Sequence, residues 1–313
     1  MGIRHPIITQ ISKDTFHINE FGVSNMYVLR GSERSLVIDA GTGYCDFKKI
    51  IESLTDKPYD VVITHAHRDH AGMMHQFDEI YINAKEIPDL DLIFEFPLNL
   101  NDFERVCEAN VGDFKVWEVT EDMINRGNKD TEIMPLENGH VFNLGNRKVT
   151  SYELAGHTLG SMYFVDDYSR IAFTGDCCHP NISTKIPVST TIRNIQRLQN
   201  QLGKDFDCMF SGHVTYCGTL NVLSSDSRIL ESIIEAYRSV LRGDARYSWE
   251  RSLRVPGCPI TRLALYGPIV KYPFEAAYGP MATVSYIDGL KDGQKLEHVD
   301  PLLWEEDEEH IIP

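Results

Sequence analysis

The chain has 313 residues, of which 42% are hydrophobic, and this composition suits a folded protein with a substantial core. The formal net charge is −16, and such an acidic chain repels nucleic acid phosphates and anionic membrane surfaces, so neither is expected as a partner. No apolar run approaches the roughly 20 residues that a membrane-spanning helix needs. The seven cysteines are an odd number without a CxxC pair, which indicates reduced thiols and a cytoplasmic location.

The first part of the chain alternates short apolar runs with glycine-containing turns. A short amphipathic helix is predicted at residues 47–54, since the pattern ends before Pro58. A second helix is expected to begin near residue 70. Strands are predicted at residues 15–18, 24–29, 35–39 and 61–64.

Residues 85–135 interrupt this pattern. Pro88, Pro97, many acidic residues and apolar runs without a strand period indicate a helical and loop insertion. Long irregular segments of this kind often cover functional sites, so a lid over a site is one interpretation and a peripheral addition is the other.

The β pattern returns after residue 140. Helices are predicted at 192–202 and at 225–241, the second of which is followed by Gly243 as a C-terminal cap. The remaining residues are rich in glycine, proline and tyrosine and predict an extended tail. Strands are predicted at residues 141–145, 148–154, 161–165, 170–174 and 207–211.

Residues 65–70 read His-Ala-His-Arg-Asp-His and directly follow the apolar run at 61–64. Four metal-competent side chains therefore fall within six positions at a predicted strand end. Imidazoles and a carboxylate are ligands that zinc prefers. The cluster predicts a metal site whose remaining ligands come from other parts of the chain.

Three further polar residues also come after apolar strands, each with a glycine on its N-terminal side. Glycine allows the backbone to turn sharply at the edge of a sheet, so these side chains are expected to join the first cluster. They are His157 after Gly156, Asp176 after Gly175 and His213 after Gly212.

This set resembles the metallo-β-lactamase superfamily in its binuclear hydrolase branch, over about residues 10–215. The resemblance implies an α+β fold, a four-layer αβ/βα sandwich with the metals at one edge between the two sheets. It also implies a catalytic domain at residues 1–220 that contains the 85–135 insertion, followed by a C-terminal helix and extended tail at 221–313. The matching residues, in the family's order, are His65, His67, Asp69, His70, His157, Asp176 and His213.

The resemblance further implies two divalent metal ions per chain. Zinc is the first expectation, and iron and manganese are alternatives because these ligands accept all three. Asp39 matches an early Asp-Gly element and is expected to support the site without binding metal directly. One metal would be held by His65, His67 and His157, the other by Asp69, His70 and His213, and Asp176 would bridge both.

The implied reaction is hydrolysis of an ester, lactone or thioester of a small molecule by a metal-bridging hydroxide. Asp69 is the expected catalytic residue, which orients the hydroxide and accepts its proton. Tyr216 and His179 are weaker candidates for substrate binding, and Cys177 and Cys178 are expected to be buried rather than to bind metal.

Two alternatives of the same fold stay open at this point. One is a mononuclear iron oxidoreductase resembling persulfide dioxygenases, which keep a related motif. The other is an RNA-processing nuclease, which ranks lower because the net charge is −16 and no basic arm is found. A homodimer formed through the tyrosine-rich C-terminal region is a further hypothesis.

Overall fold

Two β-sheets pack face to face in the computed structural model, which describes residues 2–95, 99–100, 117–179, 181–213, 224–247, 262–266 and 282–286. In the first sheet the seven strands lie side by side in chain order. The first four strands are antiparallel and the last four are parallel. They are β1 (Ile7–Ser12), β2 (Thr15–Glu20), β3 (Ser24–Arg30), β4 (Ser35–Ile38), β5 (Tyr59–Val62), β6 (Glu79–Asn83) and β7 (Glu132–Leu136).

The other strands form a five-stranded and a four-stranded sheet. They are β8 (Val141–Asn143), β9 (Lys148–Glu153), β10 (Met162–Asp166), β11 (Ile171–Gly175), β12 (Asn181–Thr184), β13 (Cys208–Ser211), β14 (Arg246–Tyr247), β15 (Arg262–Tyr266) and β16 (Ala282–Tyr286). The five-stranded sheet has the order β13-β11-β10-β9-β8, and the smaller sheet has the order β12-β16-β15-β14.

Helices cover the outer faces of the two large sheets. Asp46 caps the first helix by accepting a hydrogen bond from Lys49 N, and Gly243 ends the last one in the left-handed conformation that glycine adopts readily. Among the described residues, no helix is both long and apolar enough to cross a membrane. The α-helices are α1 (Phe47–Leu54), α2 (Leu90–Glu95), α3 (Val188–Gln201) and α4 (Ser227–Arg242), and short 3-10 turns lie at Ile87–Asp89 and Glu121–Met123.

Side-chain alternation along the strands builds the layers. On β4, Leu36 and Ile38 belong to the core between the two sheets, whereas Val37 packs in the core that includes Phe47 and Ile51 of α1. Strands buried on both faces alternate in this way because successive side chains point to opposite faces. The second sheet packs in the same manner against α3 and α4. The predicted four-layer αβ/βα sandwich is confirmed.

The helix predicted to begin near residue 70 is wrong. The segment forms turns, because Gly72 N donates to Gly41 O and Met73 N donates to Ala40 O rather than to carbonyls four residues back. The backbone donors are diverted to the loop that follows β4, and no helix can propagate.

The division into a 1–220 domain and a 221–313 extension stays a prediction. Residues 96–98 and 101–116 of the predicted insertion lie outside the described residues. Near the end of the insertion, β7 forms the last strand of the first sheet. The C-terminal region contributes α4 and β14 to β16, and β16 pairs in parallel with β12.

A buried ion pair joins turns of both large sheets. Arg147 donates from Nε and Nη2 to the two carboxylate oxygens of Asp166, at 2.8 and 2.6 Å, and both side chains are fully buried. Its remaining donors bind Asp14 O, Arg30 O and Thr15 Oγ1 at the ends of β1 to β3. One guanidinium therefore satisfies acceptors from two sheets.

Arg147→Met is expected to lower the free energy of unfolding by about 3–5 kcal/mol, because it leaves the Asp166 charge buried without its cation. Urea denaturation measures this loss. Arg170→Met is the control, since Arg170 pairs with Asp207 on the exposed surface and should lose far less. Equal losses in the two variants would contradict the role of Arg147.

A second buried polar group lies where β2 and β3 meet the end of β13. His17 Nε2 contacts Asn25 Oδ1 at 2.8 Å, and Asn25 Nδ2 donates to Ser211 O. Burial lowers the pKa of His17 to about 4, against an ordinary value of 6.5, while the Asn25 contact opposes the shift. Folding therefore requires a neutral imidazole here.

Because the pKa of His17 is lower in the folded chain, the unfolded chain binds its proton first and stability falls as the pH drops below about 6.5. The unfolding free energy of the wild type should fall between pH 7 and pH 5 by about 2 kcal/mol more than that of His17→Gln. Urea midpoints at both pH values measure this difference. All other titrating groups are common to the two proteins, so parallel pH profiles would refute the assignment.

Candidate metal centre

The predicted metal set comes together at one edge of the sandwich. β5 runs parallel to β4, while β9 and β11 share one direction because both are antiparallel to β10, and β13 is parallel to β11. The C-terminal ends of these strands therefore meet at the same edge. The residues His65, His67, Asp69 and His70 follow β5, His157 follows β9, Asp176 follows β11 and His213 follows β13.

Three imidazoles form the first group. His65 Nε2 and His157 Nε2 lie 2.9 and 3.0 Å from His67 Nδ1. Burial lowers the pKa of all three rings, that of His157 to about 3, so they are neutral near pH 7. Neutral ring nitrogens that converge on one point suit a shared cation.

Two imidazoles and two carboxylates form the second group. His70 Nε2 lies 3.7 Å from Asp69 Oδ2 and 3.6 Å from Asp176 Oδ1, and His213 Nε2 lies 3.0 Å from Asp176 Oδ2. Burial opposes a charge on His70, but the neighbouring carboxylates outweigh it and raise its pKa to about 10. This half of the site thus favours positive charge strongly.

Asp39 orients His70 from behind. His70 Nδ1 donates to Asp39 Oδ2 at 2.8 Å, and Thr64 donates its amide N–H to Oδ1 and its hydroxyl to Oδ2. His70 Nδ1 therefore carries a proton towards Asp39, and Nε2 is the nitrogen that faces the site. The structure places Asp39 behind His70, in the supporting position that the resemblance implied.

Three of the other four rings are anchored in the same way, by residues that the sequence did not indicate. The Thr64 hydroxyl donates its hydrogen bond to Asp39, so its oxygen accepts one from His65 Nδ1 at 3.0 Å. His213 Nδ1 donates to Val23 O at 2.6 Å, and His157 Nδ1 lies 2.8 Å from Ser183 Oγ. A backbone carbonyl leaves no side-chain signal, and Ser183 lies on a different strand from His157, so neither partner could be read from the motif.

The site contains buried polar atoms whose hydrogen bonding is incomplete. His70 Nε2 and Asp176 Oδ1 have no hydrogen-bond partner although both are buried. Leaving such atoms unsatisfied costs about 1–3 kcal/mol each, more when a charge is involved. A metal cation would supply the missing partner for both, so the residues present fit metal ions.

Glycines bring the strands close to the site at two of the three predicted positions. A Cβ on Gly212 would lie 2.5 Å from His70 Cε1 and 2.7 Å from Asp176 Oδ1, and one on Gly175 would lie 2.7 Å from Thr64 Cβ. Gly175 also has a φ of +49°. At Gly156 the nearest atoms would be 3.9 Å away, so that glycine is not required for space.

Gly212→Ala is expected to displace His70 and Asp176. The affinity of the chain for metal should fall at least about tenfold, as for other disturbances next to metal ligands. Gly156→Ala is the matched control and should retain the wild-type metal content. Elemental analysis after dialysis against a chelator measures both. Equal metal retention in the two variants would show that the close packing at Gly212 is not important.

Four other residues were singled out in the sequence, and the structure describes three of them. His179 is buried, with Nε2 3.9 Å from Asp176 Oδ2, and burial lowers its pKa to about 4. Cys177 and Cys178 are buried thiols whose pKa values are raised by burial, and neither belongs to the described groups of side chains that could hold a metal. Tyr216 lies outside the described residues.

The sequence model of one protein family, described as the metallo-beta-lactamase superfamily, matches residues 19–213. This range covers more than half of the chain and contains all seven residues of the set. The chain belongs to the metallo-beta-lactamase superfamily. The resemblance inferred from the motif is thereby confirmed.

Curated relatives match over part of their length. The human acyl-coenzyme A thioesterase MBLAC2 is 30% identical over 171 residues, which cover 49% of this chain and 57% of the human protein. The relative of the same name from Gallus gallus is 28% identical over 167 residues. The chain thus matches little more than half of the length of these relatives.

Solved structures support the metallo-beta-lactamase fold. A metallo-beta-lactamase family protein from Thermus thermophilus aligns with a TM-score of 0.52 and 14% identity, over 75% of this chain and 82% of its own. The sec-alkylsulfatase Pisa1 from a Pseudomonas species aligns with a TM-score of 0.55 and 12% identity, over 76% of this chain and 42% of its own. At these identities the likeness is one of fold alone.

Proposed function

We propose that this metallo-beta-lactamase superfamily protein is a metal-dependent hydrolase that cleaves thioesters of small molecules. The observation that carries the proposal is the convergence of five imidazoles and two carboxylates into overlapping groups of ligand atoms. Within each group these atoms lie no more than 4.8 Å apart. Such an overlap suits two neighbouring cations that share a carboxylate.

The proposed division assigns each metal its own ligands. Asp176 is the shared ligand, since its two oxygens lie 3.5 Å from His157 Nε2 and 3.6 Å from His70 Nε2. Zinc is the proposed metal because imidazole and carboxylate ligands suit it. The first ion would be held by His65, His67 and His157, and the second by Asp69, His70 and His213.

Asp69 is the proposed catalytic residue. Its side chain is 26% exposed, whereas those of Asp176 and Asp39 are 6% and 1% exposed. Asp69 is thus the one carboxylate of these three that both borders His70 and His213 and reaches solvent. A partly exposed carboxylate at this position can orient an attacking water and take its proton.

When bound, divalent cations acidify water and polarise a carbonyl oxygen. The chain's own residues then hold the reacting groups in place. Asp39, Thr64 and Ser183 fix the orientations of three imidazoles from behind, and Asp69 accepts the proton of the attacking water at its carboxylate. No serine or cysteine nucleophile is needed, which agrees with the burial of Cys177 and Cys178.

The preference for a thioester rests on the curated relatives, which are named acyl-coenzyme A thioesterases. The motif alone leaves esters, lactones and thioesters open as substrates, and the names of these relatives favour thioesters. The test is a panel of an acyl-coenzyme A, an acyl-N-acetylcysteamine, a lactone and an aryl ester, on protein of measured zinc content. Thioester kcat/KM should exceed the others by about tenfold or more.

Asp69→Asn should lower the kcat for the preferred thioester by about 10²–10⁴-fold, the usual contribution of a positioned acid or base. Zinc content is measured in parallel, so that loss of metal is separated from loss of the proton acceptor. Undiminished turnover in zinc-loaded Asp69→Asn would overturn the role of Asp69. Oxygen consumption with one iron per chain, in place of hydrolysis, would overturn the hydrolase itself.

A further inference from the structure

A buried glutamate lies between the two loops that carry the first histidine group. Glu86 follows β6 and is 1% exposed. Its Oε2 accepts a hydrogen bond from Ala66 N at 2.8 Å, and its Oε1 accepts one from Gly160 N at 2.6 Å. Each carboxylate oxygen thus binds a different loop.

The two amides are placed directly beside metal-ligand candidates. Ala66 separates His65 from His67 in the chain, and Gly160 follows His157 by three residues. The first loop extends from β5 of the seven-stranded sheet, and the second joins β9 to β10 of the five-stranded sheet. Glu86 therefore links the two sheets at the point where their histidines meet.

Glu86 is itself held in place by its backbone. Its N–H donates to Asn83 O at 2.9 Å, and its carbonyl accepts from Asp89 N at 3.0 Å in the 3-10 turn that follows β6. A carboxylate fixed at both its backbone and its side chain holds neighbouring groups more precisely than a mobile one does.

The approach of the second loop depends on a glycine. A Cβ on Gly160 would lie 2.8 Å from both Cγ and Oε1 of Glu86, and 3.0 Å from Lys85 Cβ. Any side chain at residue 160 would push Glu86 away from this loop. Gly160 and Glu86 thus form one contact that can be disturbed from either side.

We propose that Glu86 is a positioning residue for the metal held by His65, His67 and His157, and that it sets the distance between the two loops. This inference rests on the division of metals in the proposed function. Glu86 accepts twice, and an amide has a single acceptor oxygen, so glutamine leaves one N–H facing an NH₂ group. One of the two loops then loses its attachment.

The experiment measures the two zinc dissociation constants of the full chain by competition with a chromophoric chelator. Glu86→Gln is expected to weaken one zinc about 10–100-fold, the usual effect of removing a group that orients a ligand, and to leave the other within about threefold. Gly160→Ala should reproduce this pattern without any change of charge. Combining the two substitutions should cost less than the sum of their effects, because both disturb one contact.

The identity of the affected site is tested with two reference variants. Glu86→Gln should have no further effect on the zinc that remains in His67→Ala, which lacks a ligand of the first group. In His213→Ala, which lacks a ligand of the second group, Glu86→Gln should still weaken the remaining zinc by about 10–100-fold.

Glu153→Gln is the matched control for charge. Glu153 accepts from Asn83 Nδ2 and from Lys85 Nζ on the same turn, but its side chain is 29% exposed and touches neither loop amide. Its zinc constants should stay at the wild-type values. A change equal to that of Glu86→Gln would overturn the positioning role and assign the effect to charge.

Equal weakening of both zinc ions by Glu86→Gln, or no weakening of either, would also overturn the inference. A wild type that holds a single zinc, lost in His67→Ala and weakened by Glu86→Gln, would contradict the binuclear proposal and still support Glu86. Thermal unfolding of each variant in the presence of chelator shows that the fold is retained.

Discussion

The site depends on holding hydrogen-bond acceptors against one another. His67 Nδ1 lies 2.9 Å from His65 Nε2 and 3.0 Å from His157 Nε2, and the Nε2 atoms of His70 and His213 face carboxylate oxygens. Such atoms repel unless a proton or a metal cation lies between them, so other hydrogen bonds of the chain must keep them together. They do so from behind, through groups that fix the opposite nitrogen of four of these rings.

The fold holds the ligand residues together because several strands end at the same edge of the sandwich. Parallel pairing of β4 with β5 and of β11 with β13 brings loops from both sheets to the same place. Hydrogen bonds then cross the gap, as where Met162 N donates to Thr64 O and Asn25 N donates to Gly212 O. The rigidity of the two sheets is thus transmitted to side chains that lie on loops.

Local signals in the sequence predicted nine of the described strands and the seven converging residues, whereas the four layers were implied by the resemblance to the family. Alternating apolar residues mark the strands, and the spacing within residues 65–70 marks a cluster of ligands. The metal roles of these residues and the catalytic role of Asp69 stay predictions. The turns at residues 70–75 and the supports from Ser183 and Val23 could not be foreseen, since they depend on which loop lies opposite in space.

The parallel pairing of β12 with β16 has a consequence for the order of assembly. Residue Ser183 of β12 supports His157, and among the described strands β12 has β16 (Ala282–Tyr286) as its one neighbour. During synthesis on the ribosome, every residue of the histidine and aspartate cluster emerges well before β16 does. The strand behind His157 therefore gains its one described neighbour only after every residue of the cluster has been synthesised.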